Sequence, residues 1–309
     1  MEERPRAQAK RKRQKGKIKR FLLPAGVIVL CLLSALVSPL QEGWHTLYRM
    51  VGLGGPKSDG FTVHFLDVGS ADAIILHCGE TTVLVDAGTV DCGTEICRYL
   101  RRMGVETLTL AVNTHPDKDH LGGFVQVLRE FPPQAYWEPE VPESLIPASE
   151  EYSLTRAALE EMEIPVSQVG AGTSLSLGPM TLEVLGPVSQ PDDSNNGSLV
   201  LKASYAGRSV LLMGDAEESE EEDILDSGAE VGCDVLKVGH HGSKTSTSAQ
   251  LLQQARPQYA VISAGSGRPP NEEVLQRLQE NRAEVYRTDT QGSIVLSITE
   301  EGLTFYTEK

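Results

Sequence analysis

The chain has 309 residues, 40% of them apolar and 23% charged, which is length enough for one large or two ordinary domains around a substantial core. That composition excludes collagen, coiled-coil and disordered classes. The net charge of −15 is unevenly divided: residues 1–20 hold ten Lys/Arg against Glu2 and Glu3, a net of +8, and the other 18 basic and 41 acidic residues leave −23 over residues 21–309.

In chain order, residues 1–20 read as a basic cytoplasmic tail and residues 21–40 (FLLPAGVIVLCLLSALVSPL) as a transmembrane anchor. Twenty uncharged residues in a helix cover roughly 30 Å of hydrocarbon. Pro24 falls in the first turn, where a missing N–H costs little, and Pro39 marks the end. Basic residues before a span stay cytoplasmic, so the body is expected outside the cytoplasm, on a single-pass membrane protein. A cleaved signal peptide is the alternative, although no clear small-x-small site follows the apolar run. Cys31, preceded by the bulky Leu30, does not read as a lipoprotein cysteine. Nucleic-acid binding or nuclear targeting by the basic run is opposed by the adjoining apolar segment. Residues 41–60, ending in Gly, Pro, Ser and Asp, read as a linker.

The folded domain is expected over residues 61–309. It opens with three short strands, FTVHFLD, DAIILHC and TTVLVD. Ile96, Leu100 and Met103 then mark a helix over 94–103, residues 108–112 a buried strand, and 123–131 a second helix. The Pro-rich stretch 132–148 is expected to be irregular, with a helix over 153–162 after it. Strands follow at MTLEVL, SLVLKAS, SVLLM and DVLKV, then a helix over 246–255, the strand YAVIS and a helix capped by Asn271 and carrying Val274, Leu275 and Leu278. SIVLSI and LTFYT close the chain. Two halves of this kind suggest two mixed sheets packed together with helices outside. Cys92 and Cys97 read equally as a disulfide or as unpaired thiols, and no Cys-x-x-Cys pair suggests a cysteine zinc site.

Four of the seven histidines fall in two clusters. Asn113-Thr-His115-Pro-Asp117-Lys-Asp119-His120-Leu-Gly-Gly123 follows one apolar strand, and His240-His241-Gly242-Ser243 follows another. Two imidazoles and two carboxylates within six residues have no packing rationale, whereas a cation would hold them together. Taken singly, Asp86 and Asp215 at strand ends are ordinary turn residues. Asp67, Asp72, Asn195, Asn196 and Ser198 likewise read singly as loop polar groups.

The segment His-x-Asp-x-Asp-His-x-Gly-Gly resembles the metal motif of the metallo-β-lactamase superfamily and, more narrowly, the hydrolase domain of ComEC-like competence proteins. HFLDVGSADAIIL at 64–76, VDAG at 85–88, NNGSLVL and LLMGD across 195–215, LKVGHHGS at 236–243 and VYRTDTQGSIVLSI at 285–298 continue the resemblance in order. It implies an αββα four-layer sandwich with a site along one edge that holds one or two divalent ions. Asp119 and His120 would bind one ion, completed by His240 or His241, and His115 and Asp117 would face a neighbouring position. Asp215 would bridge the two, with Asp86 orienting ligands by hydrogen bonds and Asp72, Asn195 and Ser198 in supporting positions.

Two departures bear on chemistry. The superfamily's commoner pattern has histidines at Asp117 and within 195–198, and residues 121–239 contain none. The first metal position is therefore poor in nitrogen and suits Mn²⁺ or Mg²⁺, while the other suits Zn²⁺ or Mn²⁺. One firm and one weak or substrate-assisted ion are expected. Around the substrate, Gly69-Ser70-Ala71-Asp72 replaces Gly-Gln-Gly-Asp, and residues 266–271 lack Tyr-Gly-His-Pro.

The expected reaction is metal-assisted attack of water on a phosphodiester, with DNA as the substrate the resemblance suggests. Asp119 or Asp117 would accept the water proton, His240 or His241 would donate to the leaving oxygen, and Lys244 would contact phosphate. A body at −23 repels polyanions unless Lys202, Arg208, Lys237, Lys244, Arg268, Arg282 and Arg287 form a basic strip. A small phosphoester, an envelope polymer and a non-catalytic metal-binding module are the rival readings, and competence or envelope machinery the expected partners. One apolar span cannot by itself form a multi-span channel.

Overall fold

A computed structural model describes residues 60–309 of the protein. The tail, the span and the linker up to residue 59 lie outside the described residues. Among those described, no helix is long and apolar enough to cross a membrane.

The chain alternates two strand-rich halves with helices. The first half contains β1 (Phe61–Phe65), β2 (Ile74–Cys78), β3 (Thr81–Val85), α1 (Gly93–Met103), β4 (Leu110–Val112), α2 (Lys118–Leu121), α3 (Phe124–Glu130), β5 (Tyr136–Pro139), α4 (Glu150–Glu161) and β6 (Val166–Val169). The second contains β7 (Ser174–Leu177), β8 (Met180–Gly186), β9 (Val200–Tyr205), β10 (Arg208–Leu212), α5 (Glu218–Asp226), β11 (Val235–Lys237), α6 (Ala249–Ala255), β12 (Tyr259–Ile262), α7 (Glu272–Glu280) and β13 (Glu284–Arg287). After α8 (Thr288–Gln291), the last strands β14 (Ile294–Ile298) and β15 (Leu303–Thr307) return to the first sheet, giving the orders β15-β14-β1-β2-β3-β4-β5-β6 and β13-β12-β11-β10-β9-β8-β7.

Side-chain alternation builds four layers from these two sheets. Phe61, Val63 and Phe65 of β1 point between the sheets, where they meet Leu182, Leu201, Val210 and Leu212 from the second sheet. The opposite face of the first sheet, with Ile75, Leu84 and Tyr136, packs on Ile96, Leu100, Phe124 and Leu159 of the helices. Leu211, Leu236 and Ile262 do the same for the second sheet against Ile224, Leu252, Val274 and Leu278. Thr62 and His64 face the helix side, and both ring nitrogens of His64 are satisfied, by Tyr99 Oη at 2.8 Å and Thr62 Oγ1 at 2.9 Å. Burial, then the neighbouring His77, lowers the His64 pKa to about 3, so it is a neutral core histidine.

Several local expectations are corrected. The stretch 132–148 contains the interior strand β5, parallel to β4 and β6. Tyr136 and Trp137 bury opposite faces of this strand and outweigh the surrounding prolines. Helix α4 starts earlier than expected, at Glu150, because Ser149 accepts from Tyr152 N at 3.2 Å. By contrast, α6 starts later, behind a Ser248 cap on Leu251 N. Asn271 caps α7 as expected, accepting from Glu273 N at 2.9 Å. Cys92 and Cys97 are free thiols.

Candidate metal centre

Strands β3 and β4 in one sheet run parallel to each other, as do β10, β11 and β12 in the other. Their C-terminal ends lead into the loops that carry Asp86, His115, Asp215 and His241, the usual placement of a site on an α/β scaffold.

Asp86 follows β3 in a left-handed conformation (φ 58°), which Asp tolerates better than most residues. Its Oδ1 accepts from Thr114 N at 2.7 Å and Asn113 Nδ2 at 3.3 Å; its Oδ2 accepts from Thr114 Oγ1 at 2.7 Å and His120 Nδ1 at 2.8 Å. With its proton on Nδ1, His120 turns the lone pair of Nε2 into the site. The two glycines of the motif make this contact possible. A Cβ on Gly122 would stand 2.6 Å from Val90 N, and one on Gly123 would collide with the carbonyl oxygen of Ala87. Without them α2 could not lie against the loop that bears Asp86.

The His pair occupies a turn after β11. His240 (φ 43°), His241 (φ 52°) and Gly242 (φ 79°) are all left-handed, a strained arrangement of the kind found at functional sites. Hydrogen bonds from His240 N to Gly214 O (3.1 Å) and from Asn271 N to Gly242 O (2.9 Å) hold the turn in place. The turn separates the two rings. His241 donates Nδ1–H to Ser263 O at 3.1 Å and aims Nε2 at Asp215 and Asp119, 3.6 and 3.9 Å away. His240 donates to Glu217 Oε1 at 2.8 Å, leaving its Nε2 3.8 Å from Asp215 Oδ2.

Seven buried side-chain polar atoms lack a hydrogen-bond partner among the described residues, and five of them meet here: Asp72 Oδ1, His115 Nε2, His120 Nε2, Asp215 Oδ1 and His241 Nε2. Leaving that many polar atoms unsatisfied in one dry spot is costly unless something binds them. Ligands about 2.1 Å from one tetrahedral ion stand roughly 3.4 Å apart, and the separations here fit. His120 Nε2 is 3.3 Å from Asp215 Oδ1, and the groups His115–His120–Asp215, Asp119–His120–His241 and Asp72–Asp215–His241 each gather ligand atoms within 4.8 Å. The donor set, imidazole nitrogen with carboxylate oxygen, suits a divalent transition-metal ion.

Charge supports the same arrangement. Burial disfavours a charged His120, but Asp215 and Asp86 outweigh it and hold its pKa well above the ordinary value. Asp215, despite burial, is held well below the carboxylate range by His120 and His241. Burial lowers His115 and His241, leaving them as neutral imidazoles.

The remaining expected residues are distributed as follows. Asp117, its side chain 43% exposed, stands 3.9 Å from His115 Nε2 and accepts from Ser194 Oγ at 2.6 Å. Ser198 lies 3.3 Å from His115 Nδ1 and accepts from Asp215 N at 3.0 Å. Asn195 instead donates to Glu217 at 3.4 Å, the residue that also accepts from His240. Lys244 is exposed on the loop after the His pair.

The expected basic strip does not form. Lys237 and Lys202 are buried, the latter donating to Glu230 O, and Arg208 and Arg287 are paired with Asp234 and Asp289. Arg208 begins β10 and Arg282 precedes β13, at the strand ends remote from the site. Only Lys244 and Arg268 of that set lie exposed on site-side loops. Sequence reasoning missed Glu217, which accepts from both His240 and Thr245. Its only signal was its place two residues after Asp215.

The profile of the Metallo-beta-lactamase superfamily matches residues 66–266. The chain belongs to this superfamily. Among curated proteins it is 31% identical over 254 residues to ComE operon protein 3 of Bacillus subtilis, covering 75% of this chain and 32% of that protein. It is likewise 31% identical over 252 residues to Recombination protein 2 of Haemophilus influenzae, covering 78% and 29%. Competence protein ComA of Neisseria gonorrhoeae is 27% identical over 300 residues, covering 91% and 40%. The chain thus spans between 29% and 40% of the length of these relatives, and the ComEC-like resemblance of its motifs extends over the whole domain. A solved structure, the diiron β-hydroxylase CmlA from Streptomyces venezuelae, superposes with a TM-score of 0.52 at 13% identity, covering 82% of this chain and 59% of CmlA. That likeness concerns the fold alone. The protein is a metal-dependent hydrolase of the metallo-β-lactamase fold with ComEC-like competence homologues.

Proposed function

We propose that this chain is a membrane-anchored phosphodiesterase whose hydrolase domain works outside the cytoplasm. The observation that carries the chemistry is the convergence of four unsatisfied buried ligand atoms, on His115, His120, Asp215 and His241, at one sheet edge. The anchoring rests on the apolar run 21–40 beside a +8 tail. Asp119, His120, His241 and Asp215 would hold a firm Zn²⁺ or Mn²⁺ ion. His115, Asp117 and Asp215, with Ser198 where a histidine would add nitrogen, would hold a weaker one.

A bound divalent ion supplies positive charge to phosphoryl oxygens and lowers the pKa of water. The chain's own residues do the rest. Asp86 and the Ser263 carbonyl fix the His120 and His241 tautomers. Asp119 or Asp117, both half-buried at the mouth of the site, accepts the proton of the attacking water. His240, oriented by Glu217, donates to the leaving oxygen, and Lys244 contacts the phosphate.

The names of the relatives suggest DNA. The dispersal of the basic residues over a −23 body favours a second reading, a small phosphoester or an envelope polymer. Cleavage of single-stranded DNA by the full chain in Mn²⁺, beside a small phosphodiester such as bis(4-nitrophenyl) phosphate, decides between them. Asp119→Ala and His241→Ala should lose activity on whichever substrate is cleaved. Tight metal binding with no turnover of either would identify a binding module, and unchanged rates in both variants would refute the site.

A further inference from the structure

The mechanism leaves one fully buried pair of charges unused. Lys237 ends β11 in a run of buried residues, Val235 to Val238, and its own side chain is 0% exposed. Its Nζ donates to Asp72 Oδ2 at 2.8 Å and to Val238 O at 3.0 Å. Asp72 is clamped in turn: its N donates to Asp119 O at 3.2 Å, and its O accepts from Gly88 N at 2.7 Å. One residue therefore joins three elements: its backbone bonds the helix that presents Asp119 and His120 and the loop that follows Asp86, and its side chain bonds the strand that leads to His241.

Its second oxygen is the informative atom. Asp72 Oδ1 is buried without a hydrogen-bond partner and lies 3.8 Å from His241 Nδ1. Asp72 also groups within 4.8 Å with Asp86 and His120, and with Asp215 and His241. Stability is a poor reason for such a pair, since well-packed apolar residues replace buried ion pairs at no loss in many proteins. The Nδ1–H of His241 goes to Ser263 O and that of His120 to Asp86, so Asp72 acts by charge rather than by a hydrogen bond: a fixed carboxylate 3.8 Å from an imidazole favours positive charge on the ring and on an ion bound to it. Lys237 does the holding, because its bond to Oδ2 keeps Asp72 from rotating into the ligand set.

We infer that the Lys237–Asp72 pair is a positioning device of the metal centre, holding one fixed carboxylate oxygen beside the His120 and His241 rings. The inference rests on the metal-centre reading above. It gives Lys237 a role unlike the phosphate contact expected of a surface lysine, and Asp72 a closer one than loop support.

The test uses Co²⁺ as the probe, with the full chain stripped of metal. The double variant Asp72→Asn/Lys237→Gln removes both charges and keeps a donor facing an acceptor. It should fold, yet bind Co²⁺ about 10- to 100-fold more weakly in competition with a chelator, with a shifted visible absorption band. Asp72→Asn alone, which still accepts from Lys237, should weaken and shift Co²⁺ binding in the same direction, and it decides the matter should the double variant not fold. Wild-type affinity and an unshifted band in these variants would reduce the pair to a structural feature and overturn the inference alone. A wild-type chain that takes up no Co²⁺ would overturn the metal-centre reading and this inference with it.

Discussion

Asp86→Asn isolates the contribution of one hydrogen bond to metal binding. Asn matches Asp in size and tolerates the left-handed φ of 58°, so the backbone need not move. The acceptor pattern cannot survive, however. Oδ1 faces Thr114 N and Asn113 Nδ2, while Oδ2 faces His120 Nδ1 and Thr114 Oγ1. If the new amide points at His120, two donors oppose each other, and relief comes only when the His120 proton moves to Nε2, the nitrogen that must face the metal. In the other orientation the amide opposes the Thr114 backbone N–H. Losing one charge-assisted bond costs about 1.5–3 kcal/mol. For a domain of this size, at about 2–4 °C per kcal/mol, that lowers Tm by roughly 3–12 °C. Zn²⁺ affinity, read by competition with a chelating dye, should fall about 10- to 100-fold. Unchanged Zn²⁺ affinity together with the expected loss of Tm would refute the argument that Asp86 acts on the metal through the His120 tautomer.

Other consequences follow from the same geometry. His241→Ala should abolish tight Zn²⁺ binding while His240→Ala weakens it only slightly, because only His241 Nε2 joins the cluster; equal losses by calorimetry would contradict this. Burial opposes a charged His120, but Asp215 and Asp86 raise its pKa. In the metal-free protein its proton therefore stabilises the fold below the unfolded value near 6.5, a contribution lost as pH rises through the folded value. Since metal and proton compete for Nε2, Zn²⁺ affinity should climb over that same interval, and a pH-independent affinity would tell against it. Burial pushes the Glu220 pKa up to about 7, so the folded state keeps a proton that the unfolded chain has lost above about pH 4.5. Stability from this group falls as pH rises towards 7, and Glu220→Gln, which still accepts from Val188 N, should melt higher than wild type at pH 8.5 but not at pH 4. A Tm difference independent of pH would place the effect elsewhere.

The parts legible in the sequence share a local cause. Strand β1 alternates Phe61, Val63 and Phe65 with Thr62 and His64 because one face meets the second sheet, β2 and β3 carry apolar runs because both of their faces are buried, and the ligands of the first cluster sit within six residues on one loop and helix. What escaped depends on distant partners. Strands β6 (VSQV) and β7 (SLSL) lie at sheet edges with few buried residues, so pairing with β5 and β8, not their own pattern, makes them strands. Helix α5 (ESEEEDILD) reads as a solvated acidic run. Within it Glu220 and Glu221 are buried, accepting from Val188 N in one case and from Thr247 N and Ser248 N in the other. A lysine inside the apolar run DVLKV was a signal for an internal partner, but that partner, Asp72, lies 165 residues away. The choice between His240 and His241 needed the turn that aims one ring inward and the other at Glu217.

If the unsatisfied atoms of His115, His120, Asp215 and His241 hold divalent metal, a stripped chain must take it back up. Native mass spectrometry of the metal-stripped full chain, titrated with Zn²⁺ and then Mn²⁺, tests it most directly. The wild-type chain should retain one ion at low concentration and a second only at higher concentration, and a His120→Ala/Asp215→Asn variant should retain neither. A wild-type chain that retains no ion, or a variant that retains as many as wild type, would contradict it.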